Sequence, residues 1–284
     1  MNRFIYDGSE NIDLSTLETK PHADEQDKDI NKKAVKRNIK KMVELQDKLY
    51  AQNNYSLLLL FQAMDAAGKD GMIKSVTSGL NPQGTQVFSF KQPSKEELDH
   101  DYLWRAHKAM PERGRVGVFN RSYYEDVLVV RVHDILKNSS MPPEIVHENI
   151  WNERLVDMIN FEDHMTKNGQ ITLKFFLNVS KEEQKNRFLD RINNPAKNWK
   201  FSSADIRERG FWDKYMMCYE KAINKTATPS NPWHVIPADN KWFARKIVSD
   251  IIVERLSLLN LSYPTLSQKE REKLEDCKQK LLVE

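Results

Sequence analysis

Short apolar segments of strand length alternate with helical patterns along most of this 284-residue sequence, and this alternation restricts the fold more than any other feature. Strands that are separated by helices form parallel sheets, because each helix returns the chain to the same end of the sheet. We therefore predict an α/β fold in which helices cover both faces of a parallel sheet. The five predicted strands are YSLLLLFQAM (55–64), TQVFSF (85–90), RVGVFN (115–120), ITLKFFLNVS (171–180) and WHVIPA (233–238).

The same pattern divides the chain into regions. Residues 1–30 are polar and irregular, and we expect them to form a loosely attached arm. Residues 31–262 form the predicted α/β domain, with a helical lid inserted at about 181–230, and residues 263–284 form a predicted charged helical tail. An amphipathic helix at about 32–50 has a basic face, which is either solvated or the border of an anion channel.

Composition excludes several classes of protein. No apolar run approaches the roughly 18 to 20 residues of a membrane-spanning helix, and the first residues lack the layout of a signal peptide. Cys218 and Cys277 lie far apart without metal-ligand spacing, so we expect reduced thiols in a cytoplasmic protein. The net charge of +3 is too small to argue for duplex DNA binding. We expect neither a membrane nor a nucleic acid as a partner.

The segment FQAMDAAGKDGMIK (61–74) follows the first predicted strand and opens a helix, which is where phosphate-binding loops occur. The Walker A pattern is G-x-x-x-x-G-K-[ST], but here Ala63 stands at the first glycine and Asp70 at the hydroxyl residue. Backbone N–H groups at the helix start and the Lys69 ammonium attract phosphate together. The loop residues expected to bind phosphate are Ala66, Ala67, Gly68, Lys69, Asp70 and Gly71.

Two carboxylates of this loop bear on metal binding. Asp65 is a candidate ligand for Mg²⁺, which prefers oxygen ligands, and it could compensate for the missing hydroxyl. Asp70 lies at the helix start, where it either binds a metal or stabilises the N-terminal helix dipole.

The third predicted strand ends at Asn120 and Arg121, with Glu125 and Asp126 just beyond. Ligands of open α/β sheets bind at the carboxyl ends of strands. Arg121 is therefore placed to hold phosphate by bidentate hydrogen bonds, although a surface ion pair is the alternative. Asn120 can bind water or metal through its amide oxygen but brings no charge.

The predicted lid is basic. Residues 181–225 contain 11 lysines and arginines against 7 acidic residues, in two helices separated by NNPAKNWKFSS. Arg187 and Arg191 share one helix face, and they either neutralise a transferring phosphoryl group or lie on a solvated face. Trp199, beside Lys200, either stacks on a base, covers the site or anchors the lid.

Four stretches occur in a fixed order: MDAAGKDGMIKSVTSGLNPQG (64–84), FKQPSKEELDHDYLWRAH (90–107), GVFNRSYYEDVLVVRVH (117–133) and the lid. Together they resemble the family-2 polyphosphate kinases, from roughly Lys32 to Leu259. The resemblance implies a thymidylate-kinase-like P-loop kinase fold, a three-layer sandwich with about five parallel strands and a helical lid. It also implies Mg²⁺-dependent phosphoryl transfer between inorganic polyphosphate and a nucleotide, with Mn²⁺ as a substitute metal.

The resemblance assigns roles only where the residues match. It implies that Asp65 and Lys69 bind metal and phosphate, that Arg121 is the arginine of the second motif, and that Arg187 and Arg191 are the lid arginines.

Two residues depart from the family pattern. Ala63 stands where many members have glycine, and Asn120 stands where the commonest form has aspartate. The stretch FNRSYYED instead resembles the branch that accepts both nucleoside mono- and diphosphates. In that branch Glu125 is implied to bind the metal or the water that serves the shorter acceptor.

We therefore expect reversible transfer between polyphosphate and AMP or ADP towards ATP, with adenine preferred over guanine. Family analogy implies a homo-oligomer, either a dimer or a tetramer. Two alternatives stay open, an ATP-dependent nucleoside monophosphate kinase and a non-catalytic P-loop protein that binds polyphosphate or nucleotide. Asp65, Lys69, Arg121, Glu125, Arg187 and Arg191 are the predicted catalytic set, with Asp65 and Glu125 as metal ligands. Further predicted nucleotide- or phosphate-binding residues are Lys91, Asn120, Asp126, Arg131, Trp199 and Lys200.

Overall fold

A computed structural model describes residues 2–284, so that Met1, the first residue of the predicted arm, lies outside the described residues. Within these residues the chain forms one six-stranded sheet with the strand order β1-β6-β5-β2-β4-β3. Strands β2 to β6 run parallel and β1 runs antiparallel to β6. The strands are β1 (Ile5–Tyr6), β2 (Ser56–Gln62), β3 (Thr85–Ser89), β4 (Val116–Asn120), β5 (Gln170–Asn178) and β6 (Trp233–Pro237).

The α/β prediction is confirmed, since all five predicted strands are present and parallel. Strands β2 and β5 are buried along their whole length, as expected for central strands of a sheet that is covered on both faces. Each fully buried leucine of β2 contributes about 1.5–3 kcal/mol to the core. The sequence did not reveal β1, because a two-residue strand in a polar segment has no alternation to detect.

The helices fall into two groups that pack among themselves, α1 with α10 and α2 in one layer and α6 with α9 in another. Helix α1 begins where the Asp27 carboxylate caps the backbone N–H groups of residues 29 and 30. The helices are α1 (Lys28–Gln52), α2 (Lys69–Val76), α3 (Lys95–Leu98), α4 (Trp104–Lys108), α5 (Val129–Val132), α6 (Ile150–Lys167), α7 (Lys181–Asn193), α8 (Ser203–Gly210), α9 (Trp212–Thr226), α10 (Lys241–Ser257) and α11 (Gln268–Leu282).

The N-terminal arm is packed against the domain, so the prediction of loose attachment is wrong. Phe4 and Leu14 are buried, and the Asn224 side chain exchanges two hydrogen bonds with the backbone of Ile12. Phe4 also makes an edge contact with Phe243 of α10. A few isolated apolar residues anchor this segment, and their spacing follows the surface that they cover rather than any helical or strand period.

The predicted lid contains three helices rather than two. Helix α7 follows β5 directly, α8 is short and exposed, and α9 packs against α6 in the body of the domain. At the other end of the chain, α11 has no buried residue within the described part of the chain. Among residues 2–284, no helix combines the length and the apolar character needed to cross a bilayer.

Candidate active site

The predicted phosphate loop joins the end of β2 to the start of α2. Gly68 has a φ of 102°, a left-handed conformation that favours glycine, and Ala66 also has a positive φ of 60°. Ala63 lies outside the left-handed region, so the backbone accepts an alanine at the position of the first Walker A glycine. The backbone of the loop therefore needs glycine at Gly68 and does not need it at Ala63.

Lys69, the first residue of α2, bends back over this loop. Its ammonium donates to the carbonyl oxygen of Ala63 at 2.6 Å and to that of Met64 at 3.4 Å. Burial lowers the pKa of the Lys69 ammonium, and the negative charge of Asp65 offsets this effect only in part. The positive charge thus lies inside the loop, where a phosphate oxygen would meet it.

Arg187 of α7 also contacts the loop. Its guanidinium donates to the carbonyl oxygens of Ala66 and Ala67 at 3.1 and 2.6 Å, and to that of Ala238, after β6, at 2.6 Å. Its remaining Nε–H donates to Glu183 at 2.7 Å. The structure places this predicted lid arginine among backbone carbonyls, where it joins the loop to the end of β6.

Arg121 and Glu125 face the loop from the end of β4. Arg121 has a φ of 64°, and its backbone N–H donates to Phe61 of β2. Its guanidinium lies 3.3 Å from Asp65. Burial lowers the pKa of Arg121, but the charges of Glu125 and Asp65 outweigh it, so the pKa is raised. The structure therefore brings together the predicted residues of the loop and of the second motif.

Glu125 is the second carboxylate of this site. Burial raises the pKa of the Glu125 carboxyl, the charges of Arg121 and Lys69 oppose the rise, and the charge of Asp65 adds to it. The Gln62 amide, oriented so that both of its ends are satisfied, donates to Glu125 at 2.9 Å. Two carboxylates that repel each other beside a phosphate loop are a donor set that suits a divalent cation.

No group of three or more acidic, histidine or cysteine side chains within residues 2–284 is arranged to hold a metal. Mg²⁺ in phosphoryl-transfer sites is commonly held by one or two carboxylates together with substrate phosphates and water. The pair formed by Asp65 and Glu125 fits that donor set, and it does not fit a cage made of protein ligands alone.

Asn120 and Asp70 are joined to each other. The Asn120 amide donates to the Asp70 carboxylate at 2.8 Å, linking the end of β4 to the first turn of α2. Asp70 is exposed and lies in that first turn, where a carboxylate stabilises the helix dipole.

Asp126 turns away from the loop and into the protein. The Asp126 side chain is buried, and its carboxylate lies 3.7 Å from the Arg154 guanidinium. The same guanidinium donates to the backbone carbonyl oxygen of Asp126 at 2.9 Å. Burial raises the pKa of Asp126 to about 6, although the charges of Arg154 and Arg105 oppose it. Its Oδ2 atom has no hydrogen-bond partner among the described residues. The structure brings Asp126 next to Arg154 and not next to the loop.

The other predicted binding residues are not gathered at the loop. Arg191 lies 3.6 Å from Asp205 within the lid, and the exposed Trp199 is covered by the Lys200 ammonium at 4.9 Å from the ring centroid. Lys91 is exposed as well. Arg131 lies over an aromatic ring of α6, at 5.6 Å from its centroid.

Sequence reasoning missed a buried charged cluster, the Lys174 network, formed by Lys174, Glu162, Tyr123, Tyr124 and Thr226. The Lys174 ammonium contacts Glu162 at 2.7 Å and the Thr226 carbonyl at 2.8 Å. The hydroxyls of Tyr123 and Tyr124 lie 2.8 and 2.7 Å from the same Glu162 oxygen. Both tyrosines belong to the stretch between Arg121 and Glu125. The one sequence signal that could have revealed this cluster is the lysine inside the apolar strand ITLKFFLNVS.

Comparison with known proteins gives a consistent result. The model of the family described as Polyphosphate kinase 2 matches residues 25–263. An ADP-polyphosphate phosphotransferase of Rhodopseudomonas palustris is 49% identical over 275 residues, covering 96% of this chain and 95% of that protein. An AMP/ADP-polyphosphate phosphotransferase of Meiothermus ruber is 44% identical over 225 residues, covering 79% of this chain and 80% of that protein. The crystal structure of polyphosphate kinase 2 from Arthrobacter aurescens TC1 is 37% identical, with a TM-score of 0.85 and 93% coverage of both chains.

Proposed function

Because the chain belongs to the polyphosphate kinase 2 family, we propose that it is a polyphosphate-dependent nucleotide kinase. It transfers a phosphoryl group between inorganic polyphosphate and a nucleotide, in either direction, and phosphorylates AMP and ADP towards ATP. The observation that carries this proposal is the phosphate loop of Asp65 and Lys69, faced across the sheet edge by Arg121 and Glu125.

The residues of the site act by positioning and charge neutralisation. Backbone N–H groups at Gly68 and Lys69 hold the terminal phosphates of the donor, and the Lys69 ammonium moves from the loop carbonyls to a phosphate oxygen. Arg121 binds the transferred group from the opposite side. The terminal P–O–P bond of polyphosphate breaks as an acceptor phosphate oxygen bonds to the same phosphorus, which leaves polyphosphate one unit shorter. The acceptor oxygen is already anionic, so no protein base is required.

Asp65 and Glu125 would hold the divalent metal, Mg²⁺ or in its place Mn²⁺. When bound, such an ion neutralises charge on the phosphate oxygens and helps to align them. The negative charges of both carboxylates raise the pKa of the Arg121 guanidinium.

The choice of acceptor rests on the relatives and on Glu125. One relative is named for ADP and the other for AMP and ADP. Glu125 lies at the β4 side of the site, where a metal or water held by it would serve the shorter acceptor. We propose AMP and ADP as acceptors, adenine before guanine, for an enzyme that acts in the cytoplasm as a homo-oligomer.

The test offers AMP with either polyphosphate or ATP as the donor, and ADP with polyphosphate. We expect product only with polyphosphate as donor, and a requirement for divalent metal. Activity with ATP alone would instead identify a nucleoside monophosphate kinase. Binding of polyphosphate without any turnover would identify a regulator.

The Lys69→Ala variant tests the site itself. It should reduce kcat by about 10²-fold or more, because it removes a charge that stabilises the transition state. Lys74→Ala is the matched control, since Lys74 is an exposed lysine on the same helix. Equal activity in the two variants would contradict the assignment.

A further inference from the structure

Gln62 is a polar residue at the end of β2, where it follows five apolar residues. Its side chain is 0% exposed, and the phosphate loop begins at the next residue. An apolar side chain could fill this volume without a hydrogen bond, whereas a buried amide costs free energy unless its donor and acceptor groups are paired. The partners of Gln62 therefore indicate what the amide contributes at this position.

Ser122 fixes the orientation of the Gln62 amide. The Ser122 hydroxyl accepts a hydrogen bond from the backbone N–H of Tyr124 at 3.2 Å, so its own proton is available for donation. The hydroxyl and the Ser122 backbone N–H both donate to the Gln62 side-chain oxygen, at 3.0 and 3.1 Å. Two donors on one side of the amide require the oxygen to lie there, and the NH₂ group then points to the other side.

The group on that other side is the Glu125 carboxylate, whose Oε1 atom lies 2.9 Å from the Gln62 nitrogen. Among residues 2–284, no other side chain donates a hydrogen bond to this carboxylate. Arg121 and Lys69 act on it through charge, which attracts the carboxylate without fixing its direction. Gln62 therefore sets the orientation of Glu125 and leaves the Oε2 atom for a ligand.

The backbone at both ends of this contact is hydrogen-bonded. The Arg121 N–H donates to the carbonyl oxygen of Phe61, which extends the pairing of β2 with β4. The Glu125 N–H donates to the carbonyl oxygen of Ser122 at 3.1 Å, within the turn after β4. Gln62 thus joins the strand that leads into the phosphate loop to the turn that carries Glu125.

We propose that Gln62 is a positioning residue, which holds the Glu125 carboxylate in the orientation that serves AMP as the acceptor. This inference rests on the proposed function, because it takes from it the role of Glu125. A nucleoside monophosphate ends one phosphate unit earlier than a diphosphate, so the metal or water at Glu125 must bridge the difference. A misdirected Glu125 should therefore impair transfer to AMP more than transfer to ADP.

The test compares Gln62→Leu with Gln170→Leu, using polyphosphate as the donor. Gln170 is a matched control, because it is also a buried glutamine and it pairs with Ser56 at the opposite end of β2. Loss of a hydrogen bond to a charged group should lower kcat/KM for AMP about tenfold in the Gln62 variant. The kcat/KM for ADP should fall less, and the KM for polyphosphate should not change. In Gln170→Leu, the ratio of kcat/KM for AMP to that for ADP should equal the wild-type ratio.

An exchange of the two side chains separates orientation from stability. Gln62→Glu brings two carboxylates together in place of the contact of 2.9 Å, so its Tm should fall. Gln62→Glu/Glu125→Gln reverses donor and acceptor, so the hydrogen bonds form again and most of the loss in Tm should be recovered. Turnover of AMP should not recover, because the carboxylate then lies at the buried position 62.

Binding of AMP gives a readout that does not depend on turnover. In calorimetric titrations without polyphosphate, the affinity for AMP should weaken in Gln62→Leu and should not change in Gln170→Leu. An unchanged ratio of kcat/KM for AMP to that for ADP in Gln62→Leu would overturn the inference. An equal loss for both acceptors would do the same, as would full recovery of AMP turnover in the exchanged variant.

Two further measurements distinguish this failure from that of the proposed function. If the wild-type protein transfers nothing from polyphosphate, the proposed function fails. If Glu125→Gln leaves the ratio of kcat/KM for AMP to that for ADP unchanged, the acceptor role of Glu125 fails, and the inference fails with it. If Glu125→Gln lowers this ratio and Gln62→Leu does not, only the positioning role of Gln62 fails.

Discussion

Replacement of the buried Lys174 by methionine should destabilise this protein severely. The side chains of Lys174 and Glu162 are 0% and 2% exposed, and they form an ion pair of 2.7 Å in the core. Lys174→Met would leave the Glu162 carboxylate charged and buried without its cation. Breaking a buried pair in this way costs about 3–5 kcal/mol of the free energy of unfolding. For a domain of this size, we expect Tm to fall by roughly 10 °C.

A second variant separates the charge from the hydrogen bonds. Lys174→Met/Glu162→Leu removes both charges, and a buried ion pair can often be replaced by apolar residues of similar volume without loss. Tyr123 would still lose the acceptor that lies 2.8 Å from its hydroxyl, at a cost of about 1–3 kcal/mol. The double variant should therefore be more stable than Lys174→Met, and the addition of Tyr123→Phe should stabilise it further.

The assay is denaturant unfolding with a surface control and a parallel measurement of activity. Lys167→Met breaks an exposed pair with Asp163 on α6 and should change stability by no more than about 0.5 kcal/mol. Activity of the Lys174 variant, measured well below its Tm, should also fall, because the network holds the tyrosines between Arg121 and Glu125. A double variant as unstable as Lys174→Met, or a loss below about 1 kcal/mol in the single variant, would refute the reasoning.

Three further predictions concern residues at or beneath the site. Arg187→Ala should lower the free energy of unfolding by about 3 kcal/mol or more and should reduce kcat. Arg187→Lys should restore neither quantity, because one ammonium cannot bond the carbonyl groups of both Ala67 and Ala238, which the guanidinium reaches. Unfolding curves and kcat measurements test both variants. Asn120→Asp should lower stability at neutral pH by placing two carboxylates 2.8 Å apart, and Asn120→Asp/Asp70→Asn should recover it in the same unfolding assay. Burial lowers the pKa of His234 from 6.5 to about 4, so between these pH values the unfolded chain binds more protons than the folded protein. The free energy of unfolding should therefore fall by about 3 kcal/mol as the pH is lowered from 6.5 to 4, and His234→Gln should flatten this part of the pH profile.

The sequence was sufficient to predict the sheet and the loop, because both depend on local patterns. Five apolar segments predicted the parallel strands, and Gly68-Lys69 after the first of them predicted the turn into helix α2. It was not sufficient for Arg187. Spacing placed Arg187 and Arg191 on one helix face, but the carbonyls that Arg187 binds come from the loop and from the segment after β6, 51 or more positions away. No periodicity along a single helix encodes such partners.

A position shortly after a strand end accounts for most of the placements that succeeded, because parallel strands bring their carboxyl ends to one edge of the sheet. Such a position is not sufficient, since Asp126 lies six positions after β4 and its side chain turns towards Arg154 instead. Asp65, Lys69, Arg121 and Glu125 all satisfy this condition, and the structure brings them together. Arg131 lies farther from β4, and its position depends on how the intervening turns fold against α6. Motif matching predicts a site role for Arg131 and for the residues close to the strand ends alike. The topology of the sheet supports that role only for the residues close to the strand ends.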